Sequence, residues 1–209
     1  MSASTLVFDP FSQEFFDDPY ETYRWMRAEA PVYYSEEHDF YALTRHADVA
    51  AAFKDRDVLV GLRRRPVDGE GGRFATRHSN PSVHGSARAP AHAQYDVRRS
   101  MRDVTLHGVT IPTGKPVFLM LASANRDPEA WTDADTFDID RNRVEAQNLG
   151  LGYGIHSCLG ASLARMESAI ALDKLLDFMP RYEVDVDRCE RVHMTNVIGW
   201  KNVPVRVNR

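Results

Sequence analysis

The sequence predicts an α+β fold, with helices and short hairpins in two stretches that flank an irregular middle. Three observations carry that reading. Apolar residues recur at helical spacing through 20–27 and 163–179. Strand-like runs occur at 32–35, 40–44, 104–111, 116–122, 182–186 and 203–207. Residues 149–160, L-G-L-G-Y-G-I-H-S-C-L-G, form a glycine-rich turn that runs straight into the longer helical pattern.

In chain order, Asp18-Pro19 opens a helix, because proline is tolerated in a first turn. Tyr20, Tyr23, Met26 and Arg27 follow at steps of three and four, and Pro31 stops the run. The polar E-E-H-D turn separates the next two strands, and 49–54 reads as a short alanine-rich helix. From Gly61 to about residue 95 the chain is rich in Gly, Pro, Ser, Arg and His without any period, which predicts a linker. Order returns near Asp96. Residues 104–111 alternate, Pro112-Thr113-Gly114 has turn chemistry, and 116–122 reads as a buried strand. After Cys158 the helix should reach about Phe178, with Leu163, Met166, Ile170, Leu172, Leu175, Leu176 and Met179 as a core stripe ended by Pro180. Residues 198–202 are expected to be the turn region between the final strands.

The totals narrow the function classes. A hydrophobic content of 43% and a charged content of 27% in 209 residues are those of a soluble globular chain. A net charge of −4, with no basic run beyond 63–65, argues against nucleic acid as a partner. Two distant cysteines give no disulfide framework, no stretch is long enough for a membrane span, and M-S-A-S-T is not a signal peptide. A cytoplasmic location is the resulting expectation.

The chemistry concentrates at 149–160. Glycines 150, 152, 154 and 160 are expected to take backbone angles closed to other residues and to fold the loop beneath a flat ligand. Cys158 would then stand by a helix N-terminus, where unpaired N–H groups and the dipole favour a thiolate. Such a thiolate suits a soft or redox metal, haem iron among them. A G-x-G-x-x-G fingerprint fails on Ile155 and on Ser157, and a zinc site lacks further ligands near Cys158.

This loop resembles the haem-binding loop of the cytochromes P-450, Phe-x-x-Gly-x-His/Arg-x-Cys-x-Gly, with Gly154, His156, Cys158 and Gly160 in register. Leu151 stands where the family usually has Phe. The resemblance extends over 9–60 and 98–209, including S-A-N-R-D-P-E-A-W and F-D-I-D-R. It implies haem b ligated through Cys158, with His156 and Arg98 on the propionates, although a surface charge is the other reading of Arg98. It places Arg141 where an arginine braces the haem loop, again with a surface charge as the other reading, and makes Val197, Ile198 and Trp200 candidates for substrate contact, with sheet packing as the alternative. The implied reaction is oxidation of an apolar small molecule with O2 and electrons from a ferredoxin or flavoprotein reductase.

The same resemblance exposes a gap. The fold expected is a shortened cytochrome, divided into an N-terminal segment 1–60, a linker 61–95 that replaces the family's central helices, and a haem-binding segment 96–209. The distal helix with its acid–alcohol pair has no counterpart, so no residue is assigned catalytic proton transfer. The Glu-x-x-Arg pair also fails, since Arg88 has Gly85 where the glutamate belongs. A monooxygenase impaired by the missing middle is the first reading. A catalytically inert deletion product, or a small interaction module that binds haem weakly or not at all, is the second.

Overall fold

A computed structural model of the chain describes residues 8–55, 59–61, 92–142, 144–192 and 196–207. The linker expected at 61–95, together with Arg88 and Gly85, falls almost wholly outside them. The first half builds α1 (Gln13–Asp17), α2 (Tyr20–Glu29), β1 (Val32–Ser35), β2 (Phe40–Leu43), α3 (His46–Lys54) and β3 (Leu59–Gly61). The second begins with β4 (His92–Ala93), β5 (Asp96–Ser100), β6 (Val104–Leu106), β7 (Val109–Ile111), β8 (Pro116–Leu119) and α4 (Leu121–Ala124). It ends with α5 (Ala161–Phe178) and five short strands: β9 (Tyr182–Val184), β10 (Glu190–Arg191), β11 (Val197–Ile198), β12 (Trp200–Asn202) and β13 (Val205–Val207).

One sheet, in the order β1-β2-β8-β5-β3, takes strands from both halves of the chain. β2 and β8 run parallel, and the other neighbours run antiparallel. Alternation along these strands divides the core in two, because successive side chains point to opposite faces. Tyr41, Leu43, Val117 and Leu119 join Val49, Ala52 and Phe53 of α3, with Leu149, on one face. Phe40, Ala42, Phe118 and Met120 join Tyr23 and Met26 of α2, with Phe8 and Phe15, on the other. Both faces of the central strands are therefore covered, which explains why β2 is buried at every residue.

The helix at Tyr20–Glu29 and the hairpin β1–β2 match their sequence signals. Elsewhere the structure corrects them. The run 104–111 is two strands, β6 and β7, joined at His107 (φ 49°) and Gly108 (φ 78°). Two successive positive φ angles suit the right-handed twist of a tight hairpin. The run 116–122 stops as a strand at Leu119 and turns at Met120 into α4. Residues 198–202 are not a turn: β11 pairs with β4, and β12 pairs with β10.

The largest correction concerns α5. No residue of this 18-residue helix is buried. Leu163, Met166, Ile170, Leu172, Leu175 and Leu176 are between 45% and 59% exposed, so the stripe is not core. The two core clusters are filled by α2, α3 and α4 and by the sheet, and α5 contributes to neither.

Candidate functional site

The loop before α5 is fixed at its entrance. The Leu149 side chain is fully buried against the α3 face of the sheet. Its N–H donates to Asn125 Oδ1 at 2.8 Å, and its carbonyl accepts from Gly152 N at 2.9 Å. Gly152 has φ +74°, and a Cβ added there would lie 2.4 Å from the His156 carbonyl oxygen. Only glycine fits that close approach. Gly154, at φ +59°, opens a single 3-10 turn over Gly154–His156. The chain then returns, and Cys158 N donates to Leu151 O at 2.8 Å.

Positive φ within the loop is confined to glycines 152 and 154, so the expectation for all four glycines holds for these two. Gly160 caps α5 at φ −84°, where other residues are also allowed, and a Cβ added there would meet Cys158 Sγ at 3.8 Å, an ordinary contact. Cys158 is exposed and lies three residues before the first helical residue, its carbonyl accepting from Ala161 N at 3.1 Å. The thiol thus faces outward from a backbone turn that is itself tied to the core.

Phe53, at the end of α3, brings two of the expected cofactor-binding residues together. The His156 ring lies 6.4 Å from the Phe53 ring, and the Arg98 guanidinium lies 5.2 Å from it. Arg98, on β5, is 5% exposed and reaches Asp96 Oδ2 at 2.7 Å. Its Nε is buried with no hydrogen-bond partner among the described residues. A buried donor of that kind calls for an acceptor, and a carboxylate is the strongest one available. Next to this cluster, Lys54 Nζ lies 5.0 Å above the Tyr153 ring. Phe53 gave no signal in the sequence beyond its place in an alanine-rich helix.

The remaining expected residues go elsewhere. Arg141 donates to the carbonyls of Thr132, Asp133 and Thr136, and pairs with Glu145 at 3.8 Å. It braces the segment that precedes the loop, and its described bonds do not reach residues 149–160. Val197 and Ile198 are half-buried and have strand partners in β4. Trp200, also half-buried, has the Arg191 guanidinium 4.9 Å from its ring. These strand and ring contacts are what the structure gives the three candidates for substrate contact.

A family model described as cytochrome P450 matches residues 88–207, more than half of the chain. The chain belongs to the cytochrome P450 family. Members of this family hold haem b through a cysteine thiolate. The chain is 35% identical over 172 residues to the cytochrome P450 monooxygenase PikC of Streptomyces venezuelae, covering 81% of this chain and 36% of that one. It is 49% identical over 83 residues to the mycinamicin IV hydroxylase/epoxidase of Micromonospora griseorubida, covering 40% of this chain and 20% of that one. The chain thus spans about a third or less of the length of these relatives. Among solved structures, P450BioI in complex with an acyl carrier protein aligns with TM-score 0.51 and 37% identity, over 56% of this chain and 30% of that one. The Tepidiphilus thermophilus P450 heme domain aligns with TM-score 0.75 over 95% of this chain and 96% of that one, at 14% identity, a likeness of fold alone.

The residues present fit the family's cofactor on the side of Cys158. The unpaired Arg98 donor and the half-buried His156 flank one aromatic ring, and the exposed thiol stands on the same loop as His156.

Proposed function

We propose that this chain is a haem-thiolate P450 segment that binds haem b through Cys158 and, taken alone, does not turn over. The observation that carries the reading is the Arg98–Phe53–His156 cluster beside the loop of Cys158. Cys158 would hold the iron, while Arg98 and His156 would hold the propionates through charge-assisted hydrogen bonds. Haem, when bound, supplies the redox chemistry by which P450 enzymes oxidise apolar molecules with O2, and thiolate ligation favours O–O cleavage. The chain's own contribution is orientation. Gly152 and Gly154 shape the turn, Leu149 anchors it, and Cys158 stands exposed at its end.

Monooxygenase activity on an apolar small molecule, driven by a ferredoxin or flavoprotein reductase, belongs to this proposal as the chemistry of the whole family fold. So do a cytoplasmic location and the division into 1–60, 61–95 and 96–209. Turnover demands a proton donor held within hydrogen-bond reach of the reacting oxygen and a site that excludes water. Two described helices carry an acid beside Ser or Thr, Glu21-Thr22 in α2 and Glu167-Ser168 in α5. Of these, α2 packs in the core cluster opposite that of Leu149, and α5 follows the Cys158 loop directly in the chain. Exposure of α5 favours the reading that the chain alone does not turn over, since no residue of this helix is buried among the described residues.

Haem titration of the purified chain tests the proposal, followed by oxygen and reductant consumption with a competent ferredoxin system. The expected result is one haem bound per chain, lost on Cys158→Ala, with no hydroxylated product coupled to reductant. Failure of the wild-type chain to take up haem would contradict the first part. Coupled product that is lost on Cys158→Ala would contradict the second.

A further inference from the structure

Three consecutive residues, Asn125-Arg126-Asp127, each reach a different element. Asp127 is 3% exposed and accepts from the His46 backbone N–H at 2.8 Å, which supplies α3 with an N-terminal cap from outside the helix. Arg126 lies 4.0 Å from the Tyr20 ring of α2 and reaches Asp135 at 3.3 Å. Asn125, which caps the C-terminus of α4 with its own N–H, uses its side chain on Leu149.

We propose that Asn125 is a positioning residue for the thiolate of Cys158. The connection is a short series of hydrogen bonds. Asn125 Oδ1 accepts the Leu149 N–H at 2.8 Å; Leu149 O accepts from Gly152 N at 2.9 Å; Leu151 O accepts from Cys158 N at 2.8 Å. Between the first and last bond lies a turn whose shape Gly152 and Gly154 fix at positive φ. Leu149 is therefore the pivot: its side chain is in the core, and both of its backbone polar groups are engaged. A second tie acts two residues earlier, where His46 Nε2 lies 2.8 Å from the Gln147 carbonyl oxygen. It joins the start of α3 to the loop whose other end packs on Phe53.

The physical consequence follows from what Leu149 loses without Asn125. Its N–H would be left in a buried environment without an acceptor, and the loop would shift to find one. Groups that orient a metal ligand without touching the metal commonly change metal affinity about 10- to 100-fold when removed. Aspartate keeps an acceptor oxygen in the same place, whereas leucine keeps the volume and removes the acceptor.

The inference rests on the reading that Cys158 holds haem, and the test separates the two. Hydrogen exchange of the haem-free chain is compared for wild type, Asn125→Leu and Asn125→Asp at the Leu149 and Cys158 amides, with the Phe118 amide in β8 as the internal reference. Haem titration of the same three proteins follows. The expected result is faster exchange at Leu149 and Cys158 relative to Phe118 in Asn125→Leu, with haem affinity about 10- to 100-fold lower and near wild type in Asn125→Asp. Unchanged relative exchange in Asn125→Leu overturns the inference, as does faster exchange that is uniform across loop and β8. Equal loss of haem affinity in the leucine and aspartate variants overturns it as well. Absence of haem binding by the wild type instead sinks the haem reading, while the exchange comparison still judges the role of Asn125.

Discussion

Two helices of this chain carry apolar residues at three- and four-residue steps and meet opposite fates. In α2, Tyr23 and Met26 are fully buried against the sheet and Phe15. In α5 the apolar residues run further but lie on two sides of the helix, Leu163, Met166 and Ile170 on one and Leu172, Leu175 and Leu176 on the other, and none is buried. The difference lies in what surrounds each helix, not in its own period. A strand-rich core within the described residues offers α2 a face, and it offers α5 none. An amphipathic period therefore states a requirement for a partner surface, and only tertiary structure says whether the chain supplies it.

Matched truncations give the largest effect and could break this contrast. Leu119→Ala, at a fully buried position in β8, should cost about 2–5 kcal/mol in urea unfolding. Ile170→Ala on α5 should change stability by less than about 0.5 kcal/mol. Equal losses at the two sites would mean that α5 is packed in solution. The same exposure predicts self-association, since a contiguous apolar surface of this kind is an association liability. Sedimentation should show wild-type oligomers growing with concentration, and the Leu163→Glu, Met166→Glu, Ile170→Glu triple variant should remain monomeric.

What was legible in the sequence follows the same division. The helix at Tyr20–Glu29, strands β1 and β2 and the Cys158 loop were readable, because local period, Pro31 and the glycine spacing specify them within a few residues. The hairpin β6–β7 was missed although the alternation slips by one residue at His107-Gly108, with apolar residues at 104, 106, 109 and 111, because each half taken alone still alternates. The switch from β8 to α4 was hidden too: residues 117–124 are all buried, so neither period stands out. Pairing of β11 with β4 and of β12 with β10 depends on long-range contacts that no local pattern encodes. At the site, Cys158 stood out from its glycine turn ahead of a helix, whereas His156 and Arg98 were assigned through resemblance. Phe53 and Asn125, which hold those residues in relation to one another, were not readable.

Smaller effects sharpen the account of the core side. Asp127→Ala removes the acceptor at the start of α3 and should cost about 1–2 kcal/mol by denaturant unfolding, with Asp127→Asn retaining most of that. A loss in the alanine variant no larger than for an exposed surface substitution would contradict the capping role. Asp103 gives the smallest effect. The Thr113 backbone N–H, and then its hydroxyl, hold the Asp103 carboxyl below the usual carboxylate range. A depressed folded-state pKa stabilises the fold above the unfolded value of about 3.9 and is lost as pH falls through the folded value. Asp103→Asn should therefore lower the urea midpoint slightly at neutral pH and flatten its decline below about pH 4. An unchanged acid limb would show that the turn bonds add nothing.

The most direct test of the central claim is the absorption spectrum of the reduced, carbon monoxide-bound chain after haem loading. The account predicts a thiolate-type band for wild type, its loss in Cys158→Ala, and its retention in Cys189→Ala. A thiolate-type band that persists in Cys158→Ala, or a wild-type spectrum with no thiolate character, would contradict it.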